Sequence, residues 1–316
     1  MSFLSNNRFD LIMAFVTVCA VAALLGTNRA NSPLQVKRML GGRRSRGAKR
    51  IIMGFTINKI TVTKETLLHI RKPYLEELAF AQEYYLELVI PTCNIFSIES
   101  NHENIGYAII TVDSTLIEFY LVPRYRKNSK EIFSFIVSQN NIHNILCKSF
   151  DYSLLNCCVS NGYTYTVDGL MFRNKLEDLV FIEDKAINVS FATNEHIPFF
   201  KQQNDEVFEP KELLEEAIKN KTIIVFENNK SIIGCGFVNI VYLNSNYCDI
   251  GVWVEQNNRK KGYGSYIMKY LSNSCKAKQL IPVCGCGVDN IISQKTLSKC
   301  GYYSEFSLLN FRTNFA

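Results

Sequence analysis

The chain has 316 residues, 47% of them hydrophobic and 20% charged, a globular composition that excludes a disordered, collagen-like or multi-span membrane protein. The formal charge of +6 is uneven: residues 1–50 hold nine Lys or Arg against one acid, leaving 26 basic and 28 acidic residues from 51 onward. A near-neutral body lacks the basic face that nucleic acid needs, so no nucleic-acid partner is expected.

Eleven cysteines in a long, core-rich chain with an odd count read as reduced, buried thiols of a cytoplasmic body, not as a disulfide framework. No C-x-x-C or H-E-x-x-H occurs, and Cys284 and Cys286 are separated by a single residue, so no metal site is expected.

In chain order, the first distinct segment is the apolar run Leu11–Leu25, LIMAFVTVCAVAALL, shorter than the ~17–25 residues of a spanning helix. Residues 1–52 admit three readings. They form an anchor that keeps the body in the cytoplasm, since eight Lys or Arg follow between Arg29 and Arg50. They are a cleaved signal. Or they precede a true start at Met53, because Arg outnumbers Lys seven to two before residue 51 and Lys outnumbers Arg twenty to six after it. Membrane contact is expected only if residues 11–26 are retained and insert, which would tether the body on the cytoplasmic side of an inner membrane.

After Met53 strand-like and helical stretches alternate: FTINKITV, a helical run from Pro73 to about Val89, IGYAIITV and STLIEFYLV. Pro73 is read as a first-turn residue, with Glu76 and Glu77 at the positive end of the helix dipole. The second half repeats the order: NVSFAT, the helical EPKELLEEAIKNK, strands TIIVFEN, IIGCGFVNIVYL and YCDIGVWVE, a glycine turn, a helix, and a last strand IPVCGCGV.

Three anchors point to an internal duplication. Ile105-Gly106-Tyr107 matches Ile233-Gly234-Cys235, and Leu121-Val122-Pro123 matches Trp253-Val254-Glu255. Asp151 lies eleven residues before Gly162, as Asn290 does before Gly301. The charge-rich stretch Arg173–Lys185 is the expected linker between units 53–173 and 186–316.

The richest stretch is DIGVWV from Asp249 to Val254, followed by Arg259-Lys260-Lys261-Gly262-Tyr263-Gly264 and a helical run. A strand entering a basic, glycine-bearing turn at a helix N-terminus presents backbone N–H groups suited to a diphosphate. The Walker and dinucleotide spacings are both absent. Downstream, IPVCGCGVDNIISQKTLSKCGYY carries Asn290, Ser293 three later, and Gly301-Tyr302.

Here the chain resembles the GNAT superfamily of N-acetyltransferases, whose members carry R/Q-x-x-G-x-G/A after the fourth strand and an Asn-x-x-Ser helix ending in Gly-aromatic after the fifth. LIPVCGCGVDNIISQKTLSKCGY is similar, more narrowly, to the zwittermicin-resistance-type branch. The resemblance covers about residues 188–310 and, in degenerate form, 55–173.

It implies an α/β fold of two tandem units, each a mixed, mostly antiparallel twisted sheet flanked by helices, with a cleft between splayed strands four and five. It implies acetyl-CoA as acetyl donor, bound along Val252, Trp253 and Val254, wrapped by Arg259, Lys260, Lys261, Gly262, Tyr263 and Gly264, and met by Asn290 and Ser293. A small-molecule amine would attack the thioester directly, with Asp249 as base. Glu255 lies at the far end of that strand, and Glu206 and Glu209 are further carboxylates that could face an amine.

The usual Tyr acid, seven residues after the Asn, is replaced by Leu297. The first unit has no glycine in PRYRKNSKEIF and has Asp151 in place of the Asn, so it is expected to keep the fold without the cofactor. A non-catalytic acyl-CoA-binding or interaction module is the alternative.

Overall fold

The computed structural model describes residues 54–175, 181–203, 206–208 and 211–314. Residues 1–52, and with them the apolar run and its basic flank, lie outside the described residues.

The first unit runs β1 (Phe55–Ile60), α1 (Lys64–Glu77), α2 (Tyr84–Val89), β2 (Asn94–Ser100), β3 (Glu103–Ile110), β4 (Thr115–Leu121), α3 (Ser129–Gln139), β5 (Asn144–Lys148), α4 (Tyr152–Ser160) and β6 (Thr164–Phe172). After the short β7 (Asn174–Lys175) come β8 (Ile187–Phe191), α5 (Ile197–Gln202), α6 (Lys211–Lys219), β9 (Ile223–Asn228), β10 (Ser231–Ile240), β11 (Tyr247–Val254), α7 (Tyr263–Ala277), β12 (Ile281–Gly287), α8 (Ile291–Lys299), β13 (Tyr302–Tyr303) and β14 (Phe306–Arg312). Both units have the expected α/β build.

Twelve strands form one sheet in the order β1-β2-β3-β4-β5-β14-β6-β12-β11-β10-β9-β8. The halves exchange their closing strands: β14 lies against β5 of the first unit, and β6 lies against β12 of the second. β6 and β14 pair with each other over seven residues at the centre. IPVCGCGV is therefore not the last strand. FSLLNFR follows it because Leu308, Leu309 and Phe311 are buried on both faces of the sheet, a pattern in which period-two alternation is faint.

Helices cover both faces. In the first unit α3 and α4 enclose one cluster around Phe133 and Ile145, and α1 and α2 enclose another around Tyr74 and Tyr107. In the second, α7 and α8 cover Ile267, Leu271 and Leu297, while α5 and α6 cover Phe200, Phe208 and Trp253.

Three sequence expectations change. Thr63, whose side chain accepts from the Thr66 N–H, caps α1, so Pro73 lies inside that helix and Glu76 and Glu77 near its end. The chain then leaves helical geometry at Leu78 and resumes at Tyr84, because Gln82 and Glu83 between them are fully buried and committed to polar partners. Gly106 faces Leu121 as Gly234 faces Val254, so the two fourth strands align one residue away from the reading above. Arg173, read as the start of the charge-rich linker, is buried and bonds across the units.

The eleven-residue spacing corresponds to one helix in each half. Asp151 and Asn290 are N-caps, accepting from Leu154 N–H and Ser293 N–H, and Gly162 and Gly301 terminate the helices at φ 70° and 82°.

The strand exchange makes the halves one cooperative body. Phe311→Ala, which removes a fully buried ring, is expected to cost about 3–5 kcal/mol and to lower a single urea transition, monitored by circular dichroism, without separating it into two.

Candidate functional site

In both units strands four and five are parallel and pair only briefly. β11 meets β12 at Tyr247, Cys248 and Asp249 and then diverges; β4 meets β5 at Thr115 and Leu116 alone. The Glu255 N–H donates to the Ile233 carbonyl, which fixes the phase of the β10–β11 ladder. By the alternation of antiparallel pairing, the N–H and C=O groups of Ile250, Val252 and Val254 then point into the gap. The Val252 and Val254 side chains pack toward α7 and Trp253 packs into the α5–α6 core.

The turn after β11 leads from Arg259 through Lys260 (φ 63°) and Lys261 to Gly262 (φ 91°), the N-cap of α7. That left-handed cap suits glycine, and a Cβ there would stand in open space. The first-turn N–H groups of α7, from Tyr263 and Gly264 on, have no intrahelical acceptor. Lys260 and Lys261 are exposed beside them, and the exposed Arg259 donates Nε to the Val254 carbonyl at 3.0 Å. Gly264 is also a packing residue: a Cβ would meet Thr296 of α8 at 3.4 Å. Asn290 Oδ1 accepts from Ser293 N–H at 3.0 Å, and Leu297 lies in the core.

The first unit has the same frame with the gap filled. Arg126 donates Nε to the Leu121 carbonyl at 3.1 Å, as Arg259 does to Val254. The Asp151 N–H bonds the Lys148 carbonyl and the Asn290 N–H bonds the Gly287 carbonyl, so Lys148 and Gly287 are equivalent. The fully buried Lys148 ammonium donates to the Ile117 carbonyl at 3.3 Å and to Gln82 Oε1 at 3.1 Å. Tyr74 Oη donates to Asp151 at 2.8 Å. Next to them Arg71 forks onto Glu87 and Glu118. Burial opposes ionisation of Glu118, but Arg71 prevails and holds its carboxyl below the usual range. In the second unit, Gly287 has no side chain to send into the gap.

Asp249 stands where β11 and β12 part. It is almost wholly buried and neither carboxylate oxygen has a partner. Burial first, then the nearby Glu83 carboxylate, push its pKa well above the ordinary 3.8, against the pull of Arg173. Arg173 is committed elsewhere: Nη2 to Glu83 at 2.7 Å, Nη1 to the Cys284 carbonyl at 2.9 Å, Nε to the Ala81 carbonyl at 3.0 Å. The hydrogen bonds of Arg173 thus go to Glu83 and two carbonyls, and none reaches Asp249. Burial and the Asp249 charge also push the Cys284 thiol far up, which makes it a poor nucleophile. The ten described cysteines are thiols, nine of them buried.

Tyr84, Glu83, Arg173 and Asn239 were not singled out from sequence. Their only signal was a charge or amide inside apolar stretches, as in VNIVYL. The side chains of Glu206 and Glu209 lie outside the described residues.

Two family models match the chain: an acetyltransferase (GNAT) domain over residues 63–175 and the acetyltransferase (GNAT) family over residues 190–302. Together they span well over half of it. The chain belongs to the GNAT superfamily. The family transfers acetyl groups from acetyl-CoA. A GNAT-family acetyltransferase from Colwellia psychrerythraea is 20% identical, with a TM-score of 0.72 over 82% of this chain and 100% of that one. A tandem GNAT protein from the clavulanic acid biosynthesis pathway is 10% identical, with a TM-score of 0.58 over 83% of this chain and 99% of that one. A GCN5-related N-acetyltransferase from Sphaerobacter thermophilus gives 10% and 0.56 over 83% and 96%. At these identities the likeness speaks for the GNAT fold. No curated protein matches the sequence. Among the described residues no helix is long and apolar enough to cross a membrane.

A raised carboxyl pKa means that the folded chain binds a proton which the unfolded chain releases, so stability falls as pH rises from the ordinary value toward the folded one. Asp249→Asn is expected to abolish this decline, of up to about 1.4 kcal/mol per pH unit for one proton. Urea midpoints of wild type and variant should converge near pH 4 and separate in the variant's favour by pH 8.

Proposed function

We propose that this GNAT protein is an acetyl-CoA-dependent N-acetyltransferase acting by direct transfer on a small-molecule amine, with the cofactor held by the second unit. The observation that carries this reading is the pair Lys148 and Gly287. One buried ammonium occupies the first gap, whereas glycine leaves the equivalent space in the second.

In this reading the gap-facing amides of Val252 and Val254 hydrogen-bond the pantetheine arm, while Trp253 fixes the strand from its opposite face. The N–H groups around Gly262, Tyr263 and Gly264 receive the pyrophosphate, with Lys260 and Lys261 supplying charge. Arg259 braces the turn through Val254. Asn290 caps α8 with its Oδ1 and has its Nδ2 to offer the pantetheine arm, and Ser293 lies in the first turn beside it. Asp249, at the apex of the divergence, takes the amine proton in its ionised form. Its raised pKa brings a carboxylate toward the range where a base works near neutral pH. No tyrosine stands at position 297, and the thiolate leaves without that acid.

The likeness of residues 280–302 to the zwittermicin-resistance-type branch, units bounded at 53–173 and 186–316, and a cytoplasmic location are parts of the same reading, the last supported by the buried thiols. The alternative, an acyl-CoA-binding or interaction module, is favoured by Leu297 and by the filled gap of the first unit.

Calorimetry with CoA, together with thiol release from acetyl-CoA over an amine panel, tests the proposal. Gly262→Asp, which adds a side chain at positive φ and a negative charge at the helix N-terminus, is expected to weaken CoA at least tenfold. Cys284→Ala is expected to keep turnover within about threefold, since a buried protonated thiol takes no part. Unchanged CoA affinity in Gly262→Asp would overturn the cofactor assignment.

A further inference from the structure

A cavity of about 610 Å³ lies between the units, and the Gly262 turn is not part of its lining. From the first unit α1, α2 and the turn after it line the cavity; from the second, α6 and β10 do. Its size falls within the range of small-molecule sites. The interior is largely apolar, with Leu67, Ile90, Leu213, Ala217 and Val241 among its walls.

One polar group in the lining points to a ligand. Asn239 is 97% buried and its Nδ2 has no partner. An unmade amide bond of this kind is costly in an apolar setting unless something supplies the acceptor. Asn239 pairs across the ladder with Asp249, whose two oxygens are likewise unpartnered. Asp249 shares a strand face with Trp253, which packs against α6, so its side chain lies on the cavity's side of the sheet. The same residue marks the apex of the β11–β12 gap. A ligand seated against Asn239 is therefore beside the place where the second unit would present a thioester.

The charges restrict what enters. Glu87, in the wall, has both oxygens engaged by Arg71. Glu65, Lys64 and Glu216 are exposed at the rim. The interior thus holds no uncommitted anion for a second ammonium, and a polycation would have to bury charge against leucines.

We infer that this inter-unit cavity is the acceptor site, built by both halves, and that its substrate class is a primary amine on a single apolar body, such as an aralkylamine, bound unprotonated with its nitrogen accepting from Asn239 Nδ2 and donating to the Asp249 carboxylate. The inference rests on the acetyltransferase reading only for the chemistry, because binding is measured separately. The first unit, its own gap closed by Lys148, supplies Leu67, Tyr84 and Ile90 as one wall of the partner unit's site.

The test titrates phenethylamine and tryptamine, with spermidine and kanamycin as contrasts, into the full chain with and without saturating CoA, and follows thiol release from acetyl-CoA. Heat and turnover are expected with the two aralkylamines. Asn239→Leu, close in shape, should weaken phenethylamine at least tenfold in both Kd and KM, leave the CoA Kd within twofold, and raise the melting temperature because the unpartnered amide is gone. Leu213→Trp, which fills the cavity from a half-buried wall position, should act likewise on the amine. No heat with either aralkylamine, preferential turnover of spermidine or kanamycin, or amine affinity unmoved in both variants would overturn the acceptor site. Heat with phenethylamine that Asn239→Leu removes, in a chain that binds no CoA, would uphold the cavity and end the acetyltransferase reading.

Discussion

The exchange of closing strands at the middle of the sheet is the constraint on which the other features depend. β14 completes the first unit from the far end of the chain and β6 buttresses the second unit's β12. With the ladders interleaved, the halves cannot separate without breaking the longest hydrogen-bonded contact between them. Arg173, which follows directly on β6, is thereby held against the Cys284 carbonyl and Glu83. The Ala81–Tyr84 segment is in turn pressed over the opening between β11 and β12. The inter-unit cavity is the space left beside that segment.

Duplication and divergence can be compared residue by residue within this frame. Arg126 and Arg259 brace the last carbonyl of their fourth strands in the same way, and Asp151 and Asn290 cap the same helix. The change lies in what occupies the space between strands four and five. In the first unit a lysine, a glutamine, a tyrosine and an aspartate satisfy one another there. A buried network of this kind is stable only when every member is paired, which leaves little to offer a visiting molecule. The second unit keeps its gap-facing backbone and leaves polar groups unmet at Asp249 and Asn239.

Much of this is legible in the sequence. The R-x-x-G-x-G turn, the Asn-x-x-Ser helix and the repeated eleven-residue interval are local patterns, and local patterns survive in sequence because a left-handed cap or an N-cap restricts residue type directly. The α1 start was readable too, in Thr63 three residues before Thr66, but Pro73 drew attention to the wrong position. The exchanged strand was not legible. FSLLNFR looks like any buried strand, and nothing in it says which neighbour it pairs with. Nor was the inter-unit site: Asn239 in VNIVYL and Tyr84 beside Tyr85 acquire meaning only when β10 and α2 are brought together from opposite halves.

The interleaving also sets an order on synthesis. While the ribosome is still working through the second half, β5 has no partner on one side and shows a bare row of amides and carbonyls, a surface prone to mispairing with other chains. The nascent first half cannot finish until residues 306–312 have emerged, some 160 positions after β5. Native closure of the first half accordingly waits on the second, and the interval before it is when the polypeptide has most need of a chaperone.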